Sequence, residues 1–174
     1  MRRIFLIGYM GAGKTTLGSP LAKALGLSFI DLDKFIEKRY HKSVGAIFAE
    51  YGEKRFREIE QQILIEVSQF EDTVISTGGG TPCFFDNMNL MDRSGLTVFL
   101  EVSTPVLFER LKSGKHKRPI LKDKDDAELL AFIKDSLKVR LPIYEKCHLR
   151  FNADLLDNEE EVTTSVQKLI TLLR

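Results

Sequence analysis

The stretch GYMGAGKTT, from Gly8 to Thr16, constrains this chain more than any other. It matches G-x-x-x-x-G-K-[ST], with Gly8, Gly13, Lys14 and Thr15 in the fixed places. Its surroundings give the pattern meaning. The apolar run Ile4–Ile7 reads as a strand before it, and Lys14 to Leu25 follows a helical period after it. Glycines let the backbone curl so that its N–H groups converge on a phosphate, and the N-terminus of the following helix adds positive character. Gly11, Ala12, Gly13, Lys14, Thr15 and Thr16 are therefore the predicted phosphate contacts. Lys14 supplies charge to the outer phosphates, and the Thr15 hydroxyl suits magnesium. The loop implies a nucleoside triphosphate, with Mg²⁺.

Further apolar runs alternate with helical periods along the rest of the chain. LSFIDLD reads as a strand ending near Asp31, TVIST as a third, LTVFLEV as a fourth and CHLRFNA as a short last one. Between the second and third lies a long helical stretch. Phe56, Ile59, Ile63 and Val67 form its buried stripe, Arg57 and Glu60 share another face, and Gly52 divides it into two helices. FFDNMNLMDR reads as a helix. Thr104-Pro105 reads as a cap with proline at the first helical position. A helix runs from Ala127 to Pro142 or Tyr144, and Asn158 with Glu161 opens the last one, ending near Leu173. Gly26 stops the first helix, while Pro20 inside it predicts a kink there, or a helix that tolerates a local break. Strands alternating with helices imply an open parallel sheet covered on both faces.

A length of 174 residues suits one domain, residues 1–174. A net charge of +1 gives no general reason to bind nucleic acid. No apolar run is long enough to span a bilayer, and the short run after Arg2 and Arg3 leads straight into the phosphate loop rather than to a cleavage site. Cys83 and Cys147 fit neither a disulfide framework nor a paired metal motif, which points to a cytoplasmic protein.

The remaining signals concern a second substrate. Asp31 and Asp33 flank Leu32 just past the second strand, where open sheets bind ligands, and in an extended chain they point to one side. One suits the metal and the other an acceptor hydroxyl, although paired acids in a turn also serve as helix caps. Arg57 offers a planar fork for a carboxylate, or a salt bridge to Glu53 or Glu60. Arg140, in RLPIY, has the same two readings. KSGKHKRPILKDKDD is polar and basic and reads as a mobile lid, about 112–124, carrying Arg118. VISTGGGTPC ends a strand in three glycines, and only Ser76 and Thr77 stand where an acid often helps to hold magnesium.

In their order and separations these pieces resemble shikimate kinase. They are the phosphate loop, Asp31-x-Asp33, G-E-x-x-F-R-x-x-E from Gly52 to Glu60, Gly78 to Gly80, Arg118-Pro119, and R-x-P-x-Y from Arg140. The resemblance implies a fold like that of nucleoside monophosphate kinases: five parallel strands in the order 2-3-1-4-5, helices on both faces and a mobile lid. It implies transfer of the ATP γ-phosphate to the 3-hydroxyl of shikimate by a monomer without nucleic-acid or membrane partners. By the same resemblance Asp33 meets the reacting hydroxyl and Asp31 is the magnesium-side acid. Arg57 and Arg140 grip the substrate carboxylate, Gly79 and Gly80 form the floor beneath its ring, and Phe48 and Phe56 line the pocket. Arg118 reaches the ATP phosphates alongside Lys14. The chain departs from the family after its last strand, where FNADLLDNEEEV lacks the usual Arg or Pro of an adenine loop. Arg110 is the candidate for that face. The rival readings are a related small-molecule kinase, such as a gluconate kinase, and a non-catalytic nucleotide-binding regulator. The second predicts loss of Asp33, Arg57 or Arg140, and all three are present.

Overall fold

The structure, a computed structural model, describes residues 2–114 and 119–173. Among these residues five strands form one parallel sheet in the order β2-β3-β1-β4-β5. The strands are β1 (Arg3–Ile7), β2 (Ser28–Asp31), β3 (Thr73–Ser76), β4 (Leu96–Glu101) and β5 (Leu149–Asn152). The central position of β1 explains its composition. Ile4, Phe5, Leu6 and Ile7 are all fully buried, as a parallel strand covered on both faces requires. The buried apolar residues form one contiguous cluster.

Seven α-helices cover the sheet among the described residues: α1 (Lys14–Leu25), α2 (Leu32–Tyr40), α3 (Val44–Val67), α4 (Asn87–Ser94), α5 (Thr104–Ser113), α6 (Asp126–Tyr144) and α7 (Glu159–Leu172). Their ends carry the expected local chemistry. Gly26 takes a left-handed conformation (φ 68°), and its N–H reaches the Ala22 and Lys23 carbonyls. Asp125 and Glu128 complete a reciprocal capping box on α6. Asn158 accepts from the Glu161 N–H at 3.0 Å to start α7. Gly52 (φ 77°, ψ 170°) breaks the helical path within α3, as its position in the sequence predicts.

Several expectations need correction. Helix α1 continues through Pro20. The proline ring fixes φ near the helical value and removes only the bond to Thr16, whose residue lies on the exposed side of the helix. The cap of α5 is Ser103, one residue earlier than expected, so Pro105 is not the first helical residue. The FFDNMNLMDR helix starts only at Asn87. Ahead of it Thr81–Cys83 form a short 3₁₀ turn and Phe85 adopts a left-handed φ of 51°, which a helix cannot absorb. Asp31 and Asp33 do not share one extended stretch either, since Asp31 ends β2 in extended backbone while Asp33 is already helical. Asp31 caps α2, its side chain accepting from Lys34 N, and Asp33 lies in the first turn.

Strand register determines where the functional residues meet. Asp31 pairs with Ser76, and Ser76 pairs with Leu6. The carboxyl ends of β2, β3 and β1 are therefore level, so α2's start, the triple glycine and the phosphate loop emerge side by side.

Candidate functional site

A cleft of about 560 Å³ opens at this edge. Gly11, Gly13, Lys14, Thr15 and Thr16 line one wall, Asp31 and Asp33 another, and Ser76 to Gly79 the floor. Gly13 shows why the loop needs glycine. Its φ is 84°, and a Cβ there would lie 2.5 Å from Leu156 Cδ1. The Lys14 side chain is largely buried, and its Nζ donates to the carbonyls of Gly8 at 2.7 Å and Tyr9 at 2.8 Å. Ala12 differs from its neighbours. Its side chain faces the core, and its N–H donates to Tyr9 O at 3.1 Å within the loop's own turn.

The two acids have separate environments. Asp31 Oδ2 accepts from the Thr15 hydroxyl at 2.7 Å, so these two oxygens meet at the start of α1. Asp33 is half-buried deeper in the cleft. Burial, with the nearby carboxylates of Glu60 and Asp31 adding to it, pushes the Asp33 carboxyl up to about 6 against the opposing pull of Lys14. Thr77 is occupied structurally, since its hydroxyl donates to Leu6 O at 3.1 Å. Ser76 lines the cleft.

Two arginines stand beside the floor glycines, Arg140 next to Gly79 and Arg57 next to Gly80. Arg57 Nη1 donates to Glu60 Oε2 at 2.8 Å, and Glu60 Oε1 accepts from the Thr81 hydroxyl at 2.6 Å. Glu60 is only 1% exposed, so a surface role for this pair is excluded. Glu53 lies 3.5 Å from Arg57 Nη2 and is solvent-exposed. Gly80 leaves room for the guanidinium, because a Cβ there would stand 2.7 Å from Arg57 Nη2. Phe48 and Phe56 pack on each other beside it, ring centroids 4.4 Å apart. Arg140 rests over the Tyr9 ring at 5.4 Å, and its Nη1 lies 3.5 Å from the open side-chain position of Gly79. Gly78 joins the acid to the arginine pair. A Cβ at Gly78 would lie 3.2 Å from Asp33 Oδ1 and 3.0 Å from Glu60 Oε1.

Chain separation hides several of these relations. Glu60 belongs to a quoted sequence pattern, but nothing in the sequence indicates that it is buried or that it bridges Arg57 to Thr81. Tyr144 is fully buried, and its hydroxyl donates to the Gly79 carbonyl. The signal for it was present in R-x-P-x-Y, without a role. Burial pushes the Cys83 thiol up, so it stays protonated although Arg140 and Arg57 act on it. Arg110 lies at the far end of the cleft. It donates to Asp157 Oδ1 at 3.0 Å and to the carbonyls of Ala153 and Asp154, which ties α5 to the segment after β5. Arg118, with Lys115, His116 and Lys117 of the basic lid segment, falls outside the described residues.

Comparison with known proteins finds matches over nearly the whole chain. The family model for shikimate kinase matches residues 10–171. A shikimate kinase of Bacteroides fragilis is 57% identical over 173 residues, covering 99% of this chain and 97% of that protein. The crystal structure of a shikimate kinase from Bacteroides thetaiotaomicron superposes with a TM-score of 0.96 at 55% identity, covering 99% of this chain and 98% of the other. One from Acinetobacter baumannii, solved in complex with shikimate, gives a TM-score of 0.86 at 32% identity over 99% of this chain and 93% of the other.

Proposed function

This chain belongs to the shikimate kinase family, and on that footing we propose that it transfers the γ-phosphoryl group of ATP to the 3-hydroxyl of shikimate. The observation that supports this most strongly is the position of Asp33. It lies in the phosphate-loop cleft and within one glycine of the buried Arg57–Glu60 pair. A hydroxyl held there faces a nucleotide on one side, and the carboxylate of the same small molecule reaches a guanidinium on the other.

The reaction needs alignment and charge stabilisation more than covalent chemistry. Arg57 and Arg140 bind the shikimate carboxylate, and the backbone at Gly79 and Gly80 supports its ring. Asp33 accepts the hydroxyl proton as the oxygen forms its bond to phosphorus and the bond to ADP breaks. A carboxyl titrating at about 6 is suited to this, being mostly ionised near neutrality yet basic enough to take the proton. Gly11, Ala12, Gly13, Thr15 and Thr16 surround the phosphates. Lys14 Nζ turns from the Gly8 and Tyr9 carbonyls to the outer phosphates, and Arg118 joins it. Arg110 and the 153–157 segment hold the adenine end.

Thr15 Oγ1 and Asp31 Oδ2 form a pair of hard oxygen donors that fits Mg²⁺. Among the described residues no group of three or more His, Cys, Asp or Glu converges on one point. Bound there, the ion would neutralise charge on the phosphate oxygens.

We propose that the enzyme works as a monomer. No helix among the described residues is long and apolar enough to cross a membrane. The free thiols of Cys83 and Cys147 support a reducing compartment, the cytoplasm. An assay coupling ADP release to shikimate, with gluconate in parallel, tests the reading. Turnover with shikimate and none with gluconate is expected. The reverse preference indicates the sugar-acid alternative, and ATP binding without turnover on either indicates a regulator.

A further inference from the structure

The segment after the glycine floor, Cys83-Phe84-Phe85-Asp86, has no part in the scheme so far. It places two adjacent aromatic residues in opposite environments. Phe85 is 59% exposed, whereas Phe84 turns inward and is half-buried. The left-handed φ of 51° at Phe85 is costly for an aromatic residue. Asn87 helps to hold it, donating from Nδ2 to Thr81 O at 2.9 Å and closing the loop. The cost suggests that the inward position of Phe84 matters.

Phe84 faces Arg57. Its ring centroid lies 4.1 Å from the guanidinium carbon, closer than Phe56 at 5.3 Å or Phe48 at 5.8 Å. The Arg57 side chain is only 12% exposed, so water contributes little to its solvation. Its buried Nε has no hydrogen-bond acceptor among the described residues. Three aromatic rings therefore take over much of what water would supply, and the nearest is Phe84. Phe48 and Phe56 belong to α3, the element that carries Arg57. Phe84 comes from a different segment, the one that carries Gly80 and Thr81. That segment thus leaves room for the guanidinium at Gly80, holds its partner Glu60 through Thr81, and covers its face with Phe84.

We propose that Phe84 is a positioning residue that orients Arg57 to receive the acceptor's carboxylate, and so contributes to selection of a carboxylate-bearing acceptor. The inference rests on the reading of Arg57 as the carboxylate receptor. A simple packing role predicts a loss of stability when Phe84 is changed. Positioning predicts a selective change in one Michaelis constant, dependent on the ring's electrons rather than its bulk.

Steady-state kinetics on the full chain separates the two. Phe84→Leu is expected to raise the shikimate KM about 2–30-fold, the range of a partly desolvated cation–π contact. Its kcat and ATP KM should stay within about twofold, and Phe84→Tyr should restore the shikimate KM. Replacing Phe84 with phenylalanines of increasing ring fluorination keeps the shape and strips the face of its negative character, so the shikimate KM should climb with fluorine count. That series keeps the test decisive if Phe84→Leu folds poorly. An unchanged shikimate KM across the fluorinated series overturns the proposal, as does a parallel change in kcat and ATP KM. Wild-type turnover on shikimate, measured alongside, reports separately on the functional reading.

Discussion

The Tyr144 hydroxyl, at the end of α6, donates to the carbonyl of Gly79 in the floor of the cleft. The tyrosine ring packs against Phe99 of β4 with centroids 5.2 Å apart. Arg140 lies one turn earlier on the same helix. A single helix end thus fixes both the arginine and the backbone beneath the acceptor. Burial pushes the Tyr144 phenol far above its ordinary value, so it remains a donor at any pH at which the enzyme works.

Tyr144→Phe removes that donor and leaves a carbonyl without its partner. We expect a loss of about 1–2 kcal/mol in urea unfolding and a higher shikimate KM, with the ATP KM nearly unchanged. Unchanged stability and kinetics would show that the contact does not hold the floor.

Arg57→Ala has two effects that need separating. It removes the carboxylate receptor and also leaves the buried Glu60 without its cation, which costs about 3–5 kcal/mol. In the double variant Arg57→Ala/Glu60→Gln the stranded charge is gone. Its stability should return towards that of the wild type while shikimate binding stays lost. Recovery of shikimate binding in the double variant would contradict the assignment of Arg57.

Gly80→Ala places a methyl group 2.7 Å from Arg57 Nη2. The arginine end can move, so the fold should survive, but the guanidinium leaves its position. The expected result is a shikimate KM raised about tenfold or more, equivalent to at least about 1.4 kcal/mol, with ATP affinity retained. Normal shikimate kinetics would remove Gly80 from the acceptor floor.

Asp33 makes stability depend on pH. Its carboxyl titrates at about 6 in the folded protein against an ordinary value of 3.8, so the folded state holds the proton more tightly than the unfolded chain. The stabilising contribution of the neutral form is fully present below the unfolded value and is lost as pH rises through about 6. Asp33→Asn stays neutral throughout. Without ligands it should be more stable than the wild type by about 1–3 kcal/mol at about pH 8, with the difference shrinking towards about pH 4. Urea titrations across that range check it, and a constant difference would show that Asp33 titrates normally.

Much of this was legible in the sequence, for reasons tied to range. Gly8 to Thr15 act through local backbone geometry, so their spacing carries both the loop and the elements beside it. Buried Ile4–Ile7 and the break at Gly52 are local in the same sense. The β2-β3-β1-β4-β5 order entered through family resemblance, since alternating strands and helices leave strand order open. The misplaced start of α4 came from an apolar pattern that runs through Phe84 and Phe85, where the backbone instead turns left-handed. Glu60 looked like a surface partner of Arg57 because helical spacing places the two together but not in depth. The meeting of Tyr144 with Gly79 spans 65 residues, and no local pattern encodes it.

The most direct test measures shikimate binding and turnover together in the wild type and Asp33→Asn. With the acid neutralised and Arg57, Arg140 and the glycine floor intact, shikimate should still bind within a few-fold of the wild type. Turnover should fall by about 10²–10⁴. Turnover close to the wild type in Asp33→Asn would contradict the proposed role of Asp33 at the acceptor hydroxyl.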